Sequence, residues 1–489
     1  MQSSNPVETR PDGGAPSHTA PRIVKNTLVL LGGQAAFMLS SAVTTFVLAR
    51  FLGTSEFGEY NAVIAFVGLF MPIATFGLDT VLIREMAQNR QRAPAIYGAG
   101  LALRLLASVA AIVLCIGISA GFDYSARERQ LILLWSLSLP FTAGQLFQAP
   151  FALALDNRRP VAVSSTVALI GALIRLTLIV AGVGLSVYLL VDLGLTLVTS
   201  LLLWRTSHIH SQIRPQWNVD WEIWKSLLWD CTPLLAAGVL VAAYHRMDQQ
   251  FLLMWKGPGE VGNYAAAVRL AELLSLVPMF LMRSAFPVIS AAAGSAGGPL
   301  EISRTCYRYV FLMTLPAVLA GVLLAPQVIG ALYGSSYRDA SVALPWLMLA
   351  EIPVVAGIVY GHFSIAARLQ RFDALFTLIS AATNLVLCVM LIPRSGLAGA
   401  AIASLVSYGI SIPVQLVFRA TRSYSLILLR EALRTSVVGF LTWLAFVLAG
   451  RILPVTGCIL VSAAVFFGTA MFARLLRKDD VELIRRLSR

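Results

Sequence analysis

Five arginines, Arg104, Arg175, Arg246, Arg269 and Arg283, interrupt stretches of sequence that are otherwise apolar, and five carboxylates, Asp79, Asp192, Asp248, Glu272 and Glu351, stand in similar surroundings. An ionised group in hydrocarbon costs several kcal/mol on any scale, so such residues must face a wet cavity or a partner of opposite charge. A guanidinium keeps its proton and presents a planar fork of donors, which makes arginine the residue expected where a phosphate is held. Spacing sharpens the reading. Arg269 and Glu272 are three apart and share a helix face, and at 100° per residue Arg283 returns to within about 20° of it. Tyr244, His245, Arg246 and Asp248 crowd into five positions of the preceding apolar stretch. The arginines are therefore candidates for holding an anionic headgroup, with Asp248, Glu272, Asp79 and Glu351 as coupling or gating groups. The competing reading pairs the same charges off as structural salt bridges.

The elements that must position these residues follow from composition. The 489-residue chain is 58% hydrophobic and 12% charged, with a mean hydropathy of +0.78, against roughly 25% charged residues in soluble domains. Crossing about 30 Å of hydrocarbon as helix takes about 20 apolar residues, and the sequence supplies fourteen such windows. The expected fold class is an all-α integral membrane protein of 14 transmembrane helices. The fourth window, near 131–155, carries Pro140 and Pro150; the eighth is expected at 262–289 and the ninth at 307–332.

One pattern, G-x-x-E-x-G-x-Y-x-A, occurs at Gly53 to Ala62 and again at Gly257 to Ala266, 204 positions later and again between two apolar windows. Two related halves follow, and duplicated halves in a membrane usually mean a transporter. The expected organisation is a disordered tail 1–22, an N-lobe 23–207 of six helices, a linker 208–225, a C-lobe 226–420 of six more, an extra helix pair within 421–476 and a tail 477–489. The 204-residue offset carries Arg283 onto Asp79. These two are therefore candidates for a cross-lobe gate bridge, the local alternative being an Asp79–Arg84 pair.

Of 37 Lys and Arg, 25 fall at one set of alternating helix ends and 7 at the other. Because basic loops stay inside during insertion, both termini are expected in the cytoplasm. The net charge of +13 is thus a topology signal; the basic residues are scattered over short loops, with no compact patch for nucleic acid. The five cysteines lie in or beside apolar windows without paired spacing and indicate neither disulfides nor a metal site. No phosphate-cradling loop, no H-E-x-x-H and no long soluble segment is present, so the chain is expected to be neither an enzyme nor an ATP-driven pump, and no bound cofactor is expected. His245 and His362, alone in their helices, read as packing residues or, for His245, as a possible relay.

The segment Leu48 to Tyr60 followed by Phe76 to Glu85, together with Arg246-Met247-Asp248 and Gly262 to Glu272, resembles the polysaccharide transporter family within the multidrug, oligosaccharidyl-lipid and polysaccharide exporter superfamily. The resemblance implies a flippase that moves polyprenyl-diphosphate-linked O-antigen or exopolysaccharide repeat units, in lipopolysaccharide-type surface polysaccharide synthesis, from the cytoplasmic to the periplasmic leaflet of a bacterial inner membrane. It also implies a V-shaped pair of lobes, coupling to a proton or sodium gradient, and a polymerase of the same pathway as partner besides membrane lipids. Three alternatives stand beside it: a lipid II flippase, a multidrug extruder of the same superfamily, and a membrane glycosyltransferase or ligase.

Overall fold

The computed structural model describes residues 19–154, 156–217, 220–292 and 298–472, with side chains from residue 40 onward except at 287 and 291. The expected tail 477–489 lies outside the described residues, as does 1–18 of the expected N-terminal tail; helix begins at Thr19, inside the segment read as tail.

Helix α1 (Thr19–Thr75) bends at Gly53 and is followed by α2 (Leu78–Gln88), α3 (Ala93–Ala120), α4 (Ala126–Ser136), a 3₁₀ segment Leu139–Gln148, α5 (Ala149–Leu153), α6 (Arg158–Val180) and α7 (Leu185–His210). The second half runs α8 (Trp221–Lys256), α9 (Pro258–Leu274), α10 (Leu276–Ala291), α11 (Gly298–Leu323), α12 (Ala325–Tyr333), α13 (Ala340–Ala366), α14 (Gln370–Gly409), which bends at Gly396, and α15 (Ser411–Val417). Helices α16 (Arg419–Ala449) and α17 (Val455–Phe472) complete the described chain.

Among the described residues, twelve helical segments are long and apolar enough to cross a membrane, and two of them, Ser40–Gln88 and Gln370–Val417, run 49 and 48 residues. At 1.5 Å per residue each would exceed about 70 Å if straight, twice the hydrocarbon thickness. Near the same end of the bundle each contains a glycine at positive φ, Gly53 at +70° and Gly396 at +54°, in a backbone region that residues with a Cβ rarely enter; the first segment has a second such glycine, Gly77 at +68°, where α1 gives way to α2. Folding back at Gly53 and Gly396 makes two crossings of each segment, hence fourteen.

Prolines decide where the expected windows break. The fourth becomes α4, a 3₁₀ stretch and α5, because Pro140 and Pro150 withhold backbone donors. The eighth splits at Ser275, where Pro278 cannot donate to the Leu274 carbonyl. The ninth is shifted: its helix spans Gly298–Leu323, and α12 is a separate short helix rather than its continuation. The linker is the shorter run 211–220, whose Gln216 amide donates to the Pro94 carbonyl at 2.9 Å.

Apolar clusters follow the crossings. One joins α1, α9, α13 and α14 around Phe57, Tyr264 and Leu344, and so spans both halves of the chain. The extra pair rests on α11 through a small cluster of Leu312, Leu315, Val438, Phe466 and Ala470.

Candidate functional site

The two copies of the repeated pattern pack against each other. A Cβ at Gly58 would lie 1.7 Å from the Pro258 carbonyl oxygen and 2.9 Å from the Gly262 nitrogen, and one at Gly262 would lie 2.0 Å from the Thr54 carbonyl oxygen. Each copy's second glycine thus lets the other copy's backbone come into contact, under the same 204-residue offset. The first glycines are equivalent too: Gly53 (φ 70°, ψ 178°) and Gly257 (φ 86°, ψ 175°) make the same sharp turn at the same end of the bundle. Side chains reinforce this junction. Gln250 of α8 donates to the Ala62 carbonyl and accepts from the Tyr124 hydroxyl, both at 2.9 Å. Tyr337 donates to the Ala49 carbonyl at 2.7 Å, and Arg50 to the Ala331 carbonyl. Burial pushes the Tyr124 and Tyr337 phenols well above their ordinary range, so both remain donors at physiological pH.

Beneath this junction two adjoining cavities of about 190 and 110 Å³ share Ser41, Thr45 and Arg269. Arg269 lies eleven residues from the start of α9, about 16 Å down the helix and close to half the hydrocarbon depth. The larger cavity adds Glu272 and the apolar Phe46, Leu273 and Leu276. The smaller is polar, with Ser40, Thr44, Tyr60, Asn61, Arg175, Tyr188 and Asp192 on its walls. Both halves of the chain therefore contribute, α1, α6 and α7 from one and α9 and α10 from the other.

The charges are organised in pairs. Arg269 reaches Glu272 at 3.2 Å, both partly exposed to the cavity. Arg175 Nε donates to Asp192 at 2.6 Å, and Tyr60 of the first repeat donates to the other carboxylate oxygen at 3.3 Å. Its counterpart in the second repeat, Tyr264, donates to buried Asp248, which also accepts from the Gln249 amide. Each repeat therefore carries a tyrosine that holds a carboxylate, but only the first of these acids has an arginine bonded to it among the described residues.

Several expected site residues sit elsewhere. Arg104 is 0% exposed and is not among the residues that line the paired cavity. It donates to the Thr75 carbonyl at 2.6 Å, to the Thr142 carbonyl at 3.2 Å and to Asp79 at 3.3 Å. The reason is local: the break between α1 and α2 and the 3₁₀ segment leave carbonyls without helical partners, and one guanidinium serves both. The structure consequently gives Asp79 a partner in its own half rather than Arg283, while Arg84 pairs with Glu85 at 3.1 Å and Asp230 at 2.5 Å. Arg283 is exposed on α10, beyond the Ser275 break, so the single stripe expected along one straight helix is interrupted. Arg246 is half-buried over Gly68 of α1. Glu351 is buried and accepts from Ser275 at 2.7 Å, which ties α13 to that break. His245 lies 3.3 Å from the Tyr408 hydroxyl. His362 Nδ1 lies 2.8 Å from the Ile358 carbonyl.

Asp192 was visible as an intramembrane acid but not as a site residue. The signal was its register: Arg175 and Asp192 stand equally far from the turn at 183–184, which sets them level on antiparallel neighbours. Tyr60, at a repeated position, carried a signal of the same kind.

At the opposite, basic-residue end the halves also touch. Arg84–Asp230 and, at 3.1 Å, Arg92–Asp220 join α2 and the turn before α3 to α8 and its N-cap. A Cβ at Gly77 would lie 2.7 Å from Leu234 Cβ. Beside these pairs is a cavity of about 250 Å³ lined by Glu85, Asn89, Arg92, Glu222 and Ser226.

A family model described as "Polysaccharide biosynthesis protein" matches residues 23–293. Among curated proteins, the "Probable low-salt glycan biosynthesis flippase Agl15" of Haloferax volcanii is 24% identical over 241 residues, 47% of this chain and 50% of that protein. The "Probable flippase AglR" of the same organism is 29% identical over 179 residues, 34% of this chain and 36% of that one. The chain thus spans half or less of the length of these relatives. Among solved structures, a lipid II flippase MurJ in an inward closed conformation superposes with a TM-score of 0.74 at 13% identity, covering 92% of this chain and all of that one. An inward-facing MATE multidrug resistance transporter of the MOP superfamily gives 0.62 at 16% identity, covering 80% and 95%. At these identities the likeness is one of fold.

Proposed function

Because the chain belongs to the polysaccharide biosynthesis protein family, we propose that it is a flippase that carries polyprenyl-diphosphate-linked oligosaccharides from the cytoplasmic to the outer leaflet by alternating access. The observation that carries this reading is the paired cavity at mid-depth, with Arg269 on the wall between its two parts and Arg175 on the polar side. A diphosphate needs fixed cations in a space closed to lipid, and guanidinium groups supply paired donors. The hydroxyls and amide of Ser40, Thr44, Tyr60 and Asn61 provide the mixed donors and acceptors a sugar requires. The names of the two curated relatives, both flippases and one tied to glycan synthesis, point the same way.

In this reading the glycine junction is the outer seal, and the ion pairs of α2 and α8 belong to the cytoplasmic side, where the basic loops lie. Arg246 and Arg283, on α8 and α10, meet the substrate along the path rather than in the sealed cavity. Arg104 acts through the fold. Asp248, held by Tyr264 without a bonded arginine, is the carboxylate best placed to couple transport to a proton or sodium gradient. Glu351, bound at the Ser275 break, and Glu272 follow the movement of the second half.

The test is an accumulation assay in cells that depend on this chain for a surface polysaccharide. Replacing Arg269 with Ala should leave completed lipid-linked units on the cytoplasmic face and remove polymer from the surface at unchanged protein level. Finished polymer lying unattached outside would identify a ligase. Peptidoglycan precursor accumulating in place of the oligosaccharide would identify a lipid II flippase.

A further inference from the structure

Helix α16 is joined to α11 by a compact ionic knot. Arg304 of α11 donates to Glu431 Oε1 of α16 through Nε at 2.8 Å and Nη2 at 2.6 Å, and Arg434 reaches the same oxygen at 3.3 Å. Glu431 is 1% exposed, yet Arg304 and Arg434 remain 33% and 39% exposed. A guanidinium carries five N–H donors. Among the described residues neither arginine has a second bonded acceptor, so the outward donors of both are left over. Two guanidiniums thus share one carboxylate, and the knot itself keeps a surplus of one positive charge.

Depth identifies what meets this surplus. From Arg304 to the end of α11 at Leu323 is about 28 Å, and from Glu431 to the end of α16 at Ala449 about 27 Å. Both lie close to one hydrocarbon thickness, about 30 Å. The knot therefore stands at the level of the lipid phosphates, at the end of the bundle where the basic loops gather. Above it runs an apolar track. Arg430, Arg434, Val437, Leu441 and Leu448 fall within about 60° of one another on the helical wheel. Val437, Leu441 and Leu448 are exposed, Val437 at 59%. The track continues for about 21 Å beyond Arg434, more than the depth of one leaflet.

We propose that Arg304 and Arg434 form a binding site for the phosphate of an anionic phospholipid of that leaflet, whose acyl chains lie along the exposed face of α16. Charge complementarity and depth select this occupant: a zwitterionic lipid brings no net charge to balance the surplus, and a soluble anion has no use for the apolar track. The bound lipid would fasten the extra helix pair to α11. This inference is independent of what the central cavity transports.

The experiment is thermal unfolding of the purified full chain in detergent supplemented with phosphatidylglycerol or phosphatidylcholine, with native mass spectrometry to count retained lipid. Phosphatidylglycerol should raise Tm above the phosphatidylcholine value, and one molecule should survive desolvation. Arg434→Gln keeps the Arg304–Glu431 bonds and so the fold, and it should weaken phosphatidylglycerol binding about tenfold, the scale of one charged hydrogen bond. Arg158→Gln, at an exposed arginine of α6, should change nothing. Equal Tm in the two lipids, an undiminished phosphatidylglycerol effect in Arg434→Gln, or the same stabilisation by inorganic phosphate alone would each overturn the proposal.

Discussion

Adding one methyl group to the repeat junction tests the proposed outer seal at its tightest point. A Cβ at Gly262 would sit 2.0 Å from the Thr54 carbonyl oxygen and one at Gly58 1.7 Å from that of Pro258, where ordinary contact begins at 3.4 Å. In Gly262→Ala the facing backbones must therefore separate by about 1.4 Å, and in Gly58→Ala by about 1.7 Å. Neither neighbour is a flexible side chain that could swing aside. Overpacking of this kind costs typically 1–3 kcal/mol, and here the cost falls on the sealed conformer alone. The balance between sealed and unsealed forms should move by roughly 5- to 150-fold. A Ser41→Cys reporter reads this directly, since Ser41 lines both parts of the central cavity and the five native cysteines are buried. In Gly58→Ala and Gly262→Ala, a membrane-impermeant maleimide applied from outside should label Cys at 41 at least five times faster, and transport should fall. Gly117→Ala, where a Cβ meets nothing within 4 Å, is the control. Labelling and transport unchanged in the Gly58/Gly262 double variant would refute the seal.

Arg104→Ala should destabilise the protein by about 1–3 kcal/mol for each of the two carbonyls it leaves unpaired, Asp79 being half exposed and able to turn to water; the check is Tm and yield in detergent, and Arg104→Lys, with a single ammonium, should recover only part. Asp192→Asn releases Arg175 from its 2.6 Å partner, so substrate should bind more tightly and leave more slowly, and KM and kcat should fall together in a liposome assay. Asp248→Asn should reduce gradient-driven flipping while leaving substrate binding within about twofold; an equal loss of both would make Asp248 a structural partner of Tyr264.

Hydropathy made the crossings legible because a membrane segment is specified by its own composition. The repeated motif made the junction legible because both copies use the same glycines for the same turn and the same close approach. The pairing of charges was harder to read. Arg104 looked like a cavity residue because its partners are carbonyls freed by bends 29 and 38 residues away in sequence, and a carbonyl leaves no mark in the residue type. The stripe from Arg269 to Arg283 assumed an unbroken helix, although Pro278 was there to predict the interruption. Asp79 was assigned a partner by repeat arithmetic, which places equivalent positions at equal depth but does not say which neighbour is nearer. Arg175–Asp192, by contrast, could have been read from the register of its hairpin.

The central claim, an arginine-lined cavity that passes a diphosphate-linked glycan across the membrane, is tested most directly with purified protein in liposomes carrying a fluorescent polyprenyl-diphosphate oligosaccharide, its exposure on the far leaflet read by an impermeant quencher. The account predicts rapid exposure with the wild-type chain and a loss of at least about tenfold, the scale of one charged hydrogen bond, in Arg269→Ala. Flipping that proceeds equally well without Arg269 and Arg175, or a wild-type chain that moves none of this lipid while retaining its fold, would contradict it.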